Sequence, residues 1–220
     1  MDRMLEGGFP FGCISLVYGE AAVGKTTLAI QSSVSCTRQG FKVLYIDVDQ
    51  SFSPQRLAQI ACLDSEGVGQ NILVFLPETF SDQSSIVENL ESYIATNVKL
   101  IVVDSVSSLY RASLGSAEKA FALNRELNRQ MAYLAQLALR HDLCVLALSQ
   151  VHSVLDAFGE KVEPVAKRVL FHWPRVIISM RPTMKVGNKE AVLERYFSIE
   201  SPNSRCYFTL TERGLEDSEH

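Results

Sequence analysis

Residues Gly19-Glu20-Ala21-Ala22-Val23-Gly24-Lys25-Thr26 carry the spacing G-x-x-x-x-G-K-[ST], and each fixed type in it has a chemical reason. Gly19 and Gly24 let backbone N–H groups turn inward around phosphate oxygens, and the helix start behind them adds unpaired amides. Lys25 can reach the β and γ oxygens, and Thr26 can place its hydroxyl on Mg²⁺. Glu20, Ala21, Ala22 and Val23 supply the intervening backbone, and Thr27 completes the nucleotide-binding set. The chemistry is nucleoside triphosphate binding, with ATP and Mg²⁺ as the expected ligands. The bland alternative is an incidental glycine turn; a strand before the loop and a helix after it argue against that.

Asp104 ends the apolar run Leu100-Ile101-Val102-Val103. A carboxylate at the C-terminal end of a buried strand lies where parallel sheets collect ligands, and it can hold a hydrated Mg²⁺ beside Thr26. Asp47 and Asp49 close another apolar run, and hydrolysis needs a group that orients or deprotonates the attacking water. The alternative for both is capping the turn before Pro54. Gln150 ends Leu146-Ala147-Leu148-Ser149 and can sense the γ-phosphate; otherwise it is a satisfied strand-end amide.

These residues need a sheet that brings strand ends together. Apolar runs predict strands at residues 12–19, 41–47, 71–76, 99–104 and 143–150. Helices are expected over residues 25–38, over 53–62 with Pro54 in its first turn, and around Ile86, Val87, Leu90 and Ile94. Leu123, Leu127, Met131, Leu134 and Ala138 form one stripe of a helix over 118–141. Buried strands alternating with helices imply a mainly parallel sheet covered on both faces. Residues 152–164 read as an irregular, mixed-charge stretch, and 175–180, 191–199 and 206–211 as antiparallel strands added to the same sheet. Their turns hold Gly187-Asn188 and Pro202-Asn203-Ser204. Residues 215–220 read as a frayed acidic tail.

The 220 residues, 47% of them hydrophobic, suffice for one sizeable core and a single domain over 1–220. No apolar window is long enough to span a membrane and the start lacks a secretory signal, so a cytoplasmic protein is expected. Five cysteines without CxxC spacing read as buried free thiols, and four histidines form no ligand cluster. The formal charge of -4 excludes a uniformly basic nucleic-acid binder but permits a local basic face.

Taken as an ordered set, these residues resemble the RecA/RadA recombinase superfamily, and most closely its short archaeal RadB branch. The resemblance covers nearly the whole chain. Its pieces include Leu5-Glu6-Gly7-Gly8-Phe9, the phosphate loop, Tyr45-Ile46-Asp47-Val48-Asp49, Phe52-Ser53-Pro54-Gln55-Arg56-Leu57, Val103-Asp104-Ser105, Leu109-Tyr110-Arg111, Ser149-Gln150-Val151-His152 and Thr211-Glu212-Arg213-Gly214. It implies a RecA-like P-loop ATPase core that lacks the N-terminal helical domain and polymerisation linker of full recombinases. It makes Asp49 the catalytic carboxylate, Arg56 the arginine packed on adenine, Asp104 the Mg²⁺-side aspartate and Gln150 the γ-phosphate sensor, with Lys25 acting in catalysis. The relatives have glutamate where Asp49 stands. A side chain one methylene shorter misplaces the water by about 1 Å, which can cost on the order of 10²-fold in rate, so a weak ATPase is expected.

The resemblance also implies an accessory role in homologous recombination and DNA repair, without strong strand exchange. The partners it implies are DNA, single strands by preference, and recombination proteins such as the RadA recombinase or a Holliday junction resolvase; a homodimer is compatible. The loops after Arg111 and Gln150 match the two DNA-binding loops, with Arg111, Lys119, His152, Lys161, Lys167 and Arg168 as candidate contacts. Asp156, Glu160 and Glu163 interrupt that charge, so a plain solvated loop is the alternative. His172 and Trp173 suit either a stacking surface or core packing. Two rival functions stay open: a regulatory module with ATP as a structural ligand, and a RecA-fold signalling ATPase that never touches DNA.

Overall fold

The computed structural model describes residues 1–156, 159–200 and 204–218, with the side chains of all of these except 63, 117, 152–156, 159–162 and 200. Pro202, Asn203 and His220 lie outside the described residues. The apolar runs form β1 (Ile14–Gly19), β2 (Lys42–Asp47), β3 (Ile72–Phe75), β4 (Val98–Asp104) and the start of β5 (Cys144–Asp156). Then follow β6 (Gly159–Pro164), β7 (Val176–Pro182), β8 (Asn188–Tyr196), β9 (Ile199–Glu200), β10 (Arg205–Thr211) and β11 (Gly214–Asp217). The sheet order is β11-β10-β8-β7-β1-β5-β4-β2-β3, with β6 and β9 attached to β5 and β8. From β7 to β3 all pairings are parallel, so β7, expected as an antiparallel addition, instead extends the parallel sheet from β1 and meets only β8 antiparallel. β8 and β10 add antiparallel strands, as expected, and β11 adds one that was not expected.

Both faces are buried, and the strands show it residue by residue. Leu44, Ile46, Ile101, Val103, Val145 and Ala147 enter one core, while Val43, Tyr45, Leu100, Val102, Leu146 and Leu148 enter the other. Successive side chains of a strand point to opposite faces, so an uninterrupted apolar run is what a doubly covered sheet requires. The first core is closed by α4 (Phe80–Asn89) and α6 (Ala117–His141), the second by α1 (Lys25–Arg38) and the N-terminal Met4 and Leu5. The short α2 (Pro54–Ala61) and α3 (Ser65–Gly69) pack with α1 in a third cluster, and α5 (Ser108–Ala112) and α7 (Lys167–Leu170) fill connections.

Helix starts follow local chemistry. Ser53 caps α2, its hydroxyl accepting from Arg56 N at 3.2 Å with Pro54 in the first turn, and Thr79 and Asp82 form a reciprocal capping box on α4. That box places α4 earlier than the Ile86–Ile94 spacing suggested, and Leu90–Tyr93 tighten into a 3-10 turn.

Three further expectations need correction. Residues 152–156 and 159–164 are not irregular: β5 continues past Gln150 and pairs antiparallel with β6, from Val151 opposite Pro164 to Asp156 opposite Gly159. Residues 214–217 are not frayed, because β11 pairs with β10 and the Gln31 side chain takes both the N–H and the C=O of Leu215. Cysteines 13 and 144 are buried and 36 and 206 half-buried, but Cys62 is exposed; all five are free thiols.

Candidate functional site

Strand register levels the functional residues at one edge. Gly19 lies opposite Gln150 on β5 and Met180 on β7, and Asp47 lies opposite Asp104. All stand at the carboxyl ends of parallel strands, where ligands of such sheets bind. Gly19 must be glycine, since a Cβ there would enter the carbonyl of Met180. Ala22 and Gly24 adopt positive φ values of 59° and 103°, and Gly24 caps α1. The loop thereby turns its backbone toward the helix axis, leaving the first amides of α1 for an anion. Glu20, Ala21 and Ala22 are exposed, Val23 is buried, and Thr26 and Thr27 are half-buried in the first turn.

The Lys25 side chain folds back on its own loop, donating from Nζ to Gly19 O at 2.8 Å and Glu20 O at 2.6 Å. Burial lowers its pKa, opposed by the charges of Asp104, Asp49 and Glu20. Asp104 is likewise buried. Its carboxyl is lifted to about 6, raised first by desolvation and also by the charges of Asp49 and Asp47, against hydrogen bonds from Thr26 and Tyr45 that lower it. Tyr45 donates to Asp104 Oδ2 at 3.0 Å, and Ser51 Oγ lies 3.4 Å from the same oxygen.

Asp47 and Asp49 part company. Asp47 accepts from the N–H groups of Ser51 and Phe52 at 2.9 and 3.0 Å, so it caps the turn after β2. Asp49 is half-buried and accepts from Gln150 Nε2 at 3.1 Å. The capping alternative thus holds for Asp47, while Asp49 and Gln150 meet beside the loop.

Among the described residues, no group of three or more His, Cys, Asp and Glu is placed to hold a metal ion. Mg²⁺ asks for less: one or two protein oxygens, water, and phosphate oxygens complete its octahedron. Thr26 and Asp104, a hydroxyl against a buried carboxylate whose charge is incompletely compensated, fit that demand. Arg56 donates from Nη2 to Thr211 O at 2.7 Å and from Nη1 to Glu212 O at 3.0 Å, tying α2 to the turn between β10 and β11. Leu210 of β10 lies against Gly24, so the same turn walls the phosphate loop.

The candidate DNA contacts do not form one patch. Arg111 in α5 and Lys119 in the first turn of α6 are exposed, as is Arg168 in α7. Lys167 pairs with Glu163 at 2.8 Å and sits over the Phe171 ring at 5.6 Å. His152 and Lys161 are on the β5–β6 hairpin, opposite Glu163 and Val154; their side chains, like those of Asp156 and Glu160, lie outside the described ones. Trp173 packs partly on the first core and donates from Nε1 to Asn128 Oδ1 at 3.0 Å, which favours its packing role.

Tyr45 and Ser51 escaped the reading of the sequence. Tyr45 stands in Val43-Leu44-Tyr45-Ile46, where an aromatic core residue would look the same. Only a polar atom in a run buried on both faces signals that a partner must exist.

The Rad51 family profile matches residues 1–218. The chain belongs to the Rad51 family. Relatives named DNA repair and recombination protein RadB include that of Thermococcus kodakarensis, 36% identical over 100% of this chain and 96% of its own. The RadB of Methanococcoides burtonii is 32% identical over 98% of this chain and 93% of its own. A crystal structure of a RadB recombinase superposes with a TM-score of 0.83 at 37% identity, covering 99% of this chain and 96% of the other. The RecA-like fold and the archaeal RadB resemblance are thereby established for this Rad51-family chain. Among its described residues no helix is long and apolar enough to cross a membrane.

Proposed function

We propose that the chain is a RadB-type accessory protein of DNA repair and homologous recombination, acting in the cytoplasm. In this reading it binds ATP with Mg²⁺, hydrolyses it slowly and associates with DNA, preferring single strands. The observation that carries it is the convergence of Lys25, Thr26, Asp104 and the Asp49–Gln150 pair at one strand edge. The names of the RadB relatives support the repair and recombination role.

The chain's own groups would act as follows. Lys25 exchanges the carbonyls of Gly19 and Glu20 for β and γ oxygens, so its ammonium needs no new desolvation when phosphate arrives. The amides of residues 20–26 line the same oxygens, and Arg56 offers the base a guanidinium held flat by two carbonyls. Mg²⁺ held by Thr26 and Asp104 would supply a Lewis acid for the phosphate oxygens. Asp49 orients the attacking water, and Gln150, released from Asp49, carries the presence of the γ-phosphate into the β5–β6 hairpin. Arg111, Lys119, His152, Lys161, Lys167 and Arg168 are the DNA contacts of this reading. A RadA-type recombinase or a junction resolvase is its protein partner.

The test uses labelled single-stranded oligonucleotides retained on filters across a salt series. Retention at low salt that fades as salt rises is expected; no retention even at low salt overturns the DNA part. One observation favours a second reading, in which ATP is a structural ligand: Asp49 is short for its task and already engaged by Gln150. Nucleotide occupancy without multiple-turnover phosphate release would select it.

A further inference from the structure

We infer that Tyr45 is a positioning residue for Mg²⁺, acting through Asp104; this rests on the Mg²⁺–ATP reading above. Tyr45 is fully buried in β2, on the sheet face that also carries α1. Phenylalanine would pack there equally well, so the hydroxyl needs its own explanation. Its partner is a carboxylate beside Thr26: the hydroxyl donates to Asp104 Oδ2 at 3.0 Å, and Ser51 Oγ reaches the same oxygen at 3.4 Å. With Oδ2 committed to Tyr45 and Ser51, the carboxylate is held in a fixed rotamer beside Thr26, where the two residues would hold the cation.

The brace extends to the residue that orients water. Phe52 stacks edge-on against Tyr45 with ring centroids 4.8 Å apart, and its N–H is held by Asp47. The N–H groups of Val48 and Asp49 both reach the carbonyl of Asp104, at 2.7 and 3.2 Å. Ser51 Oγ stands between the two carboxylates, 3.5 Å from Asp47 Oδ1 and 3.4 Å from Asp104 Oδ2. The turn carrying Asp49 and the metal-side carboxylate therefore form one unit, with Tyr45 beneath it. Groups that orient a metal ligand from behind govern ion affinity by about 10–100-fold.

The test is fluorescent ATP-analogue binding by the full chain in EDTA and across a Mg²⁺ titration, for wild type, Tyr45→Phe and Tyr133→Phe. Tyr133 loses the same atom at a distant site, where it faces Glu91 at 3.5 Å. The inference predicts that Tyr45→Phe leaves affinity in EDTA unchanged, which also shows a folded site, and raises the Mg²⁺ midpoint about 10-fold. Tyr133→Phe should match wild type. A midpoint for Tyr45→Phe within about twofold of wild type, or an equal loss with and without Mg²⁺, overturns the inference while leaving the nucleotide reading intact. A wild type that binds no nucleotide in either condition overturns that reading, and the inference with it.

Discussion

Asp104 is under electrostatic tension in the site, and this has a measurable sign. Its carboxyl is lifted from 3.8 to about 6 in the folded chain. Between those values the folded protein holds a proton that the unfolded chain releases. Stability from this group is therefore complete below about 3.8 and is lost as pH rises through about 6. The gap corresponds to at most about 3 kcal/mol. Without nucleotide and in EDTA, Asp104→Asn should unfold at a higher temperature than wild type at pH 7.5, and the two should converge near pH 4. Scanning calorimetry across that range checks it; a constant difference would contradict the account. The same tension would favour a cation, because a metal at Thr26 would relieve it and Lys25, occupied with carbonyls, does so only in part.

Between elements, a buried polar chain joins the helices of the first core to the strand end that carries Asp104. Gln83 of α4 donates to Gln130 Oε1 of α6 at 2.8 Å and to Val106 O at 3.3 Å, and Gln130 donates to Ser84 Oγ at 2.7 Å. Both glutamines are essentially without solvent contact. Removing one partner strands the others, so Gln130→Ala should cost about 1–3 kcal/mol in urea unfolding. Indistinguishable midpoints would show that the network contributes nothing.

The same scale shows what the sequence could tell. The placement of residues 19–26 and Asp104 at one strand edge was legible from the residue types and spacing that phosphate chemistry would dictate, and the central strands because double burial demands unbroken apolar runs. The β5–β6 hairpin was not. The charged run Glu160-Lys161-Val162-Glu163 gives no apolar period in the sequence, and the strand is recognised by its backbone pairing with the continuation of β5. The last strand was equally hidden, since Leu215-Glu216-Asp217 looks like a solvated tail until Gln31, far away in the chain, captures Leu215. Asp47 and Asp49 could not be separated by type; the turn between β2 and α2 decides which one faces inward.

At the scale of the whole molecule, one sheet edge collects the candidate nucleotide groups from β1, β2, β4 and β5, and the C-terminal strands close over them through Leu210 and the Arg56 bonds to Thr211 and Glu212. The exposed cations Arg111, Lys119 and Arg168 sit on helices that follow β4 and β6, so in the proposed reading the DNA contacts and the nucleotide contacts would share strands without sharing side chains. Lys25→Ala should accordingly reduce nucleotide binding far more than retention of single strands at low salt. The most direct test of the account is isothermal titration calorimetry of ATP into the purified chain, with Mg²⁺ and with EDTA, beside Lys25→Ala. It predicts saturable binding that strengthens with Mg²⁺ and falls by an order of magnitude or more in the variant, about 1.4 kcal/mol per tenfold. Absence of binding heat with Mg²⁺ present, or equal affinity in wild type and variant, would contradict it.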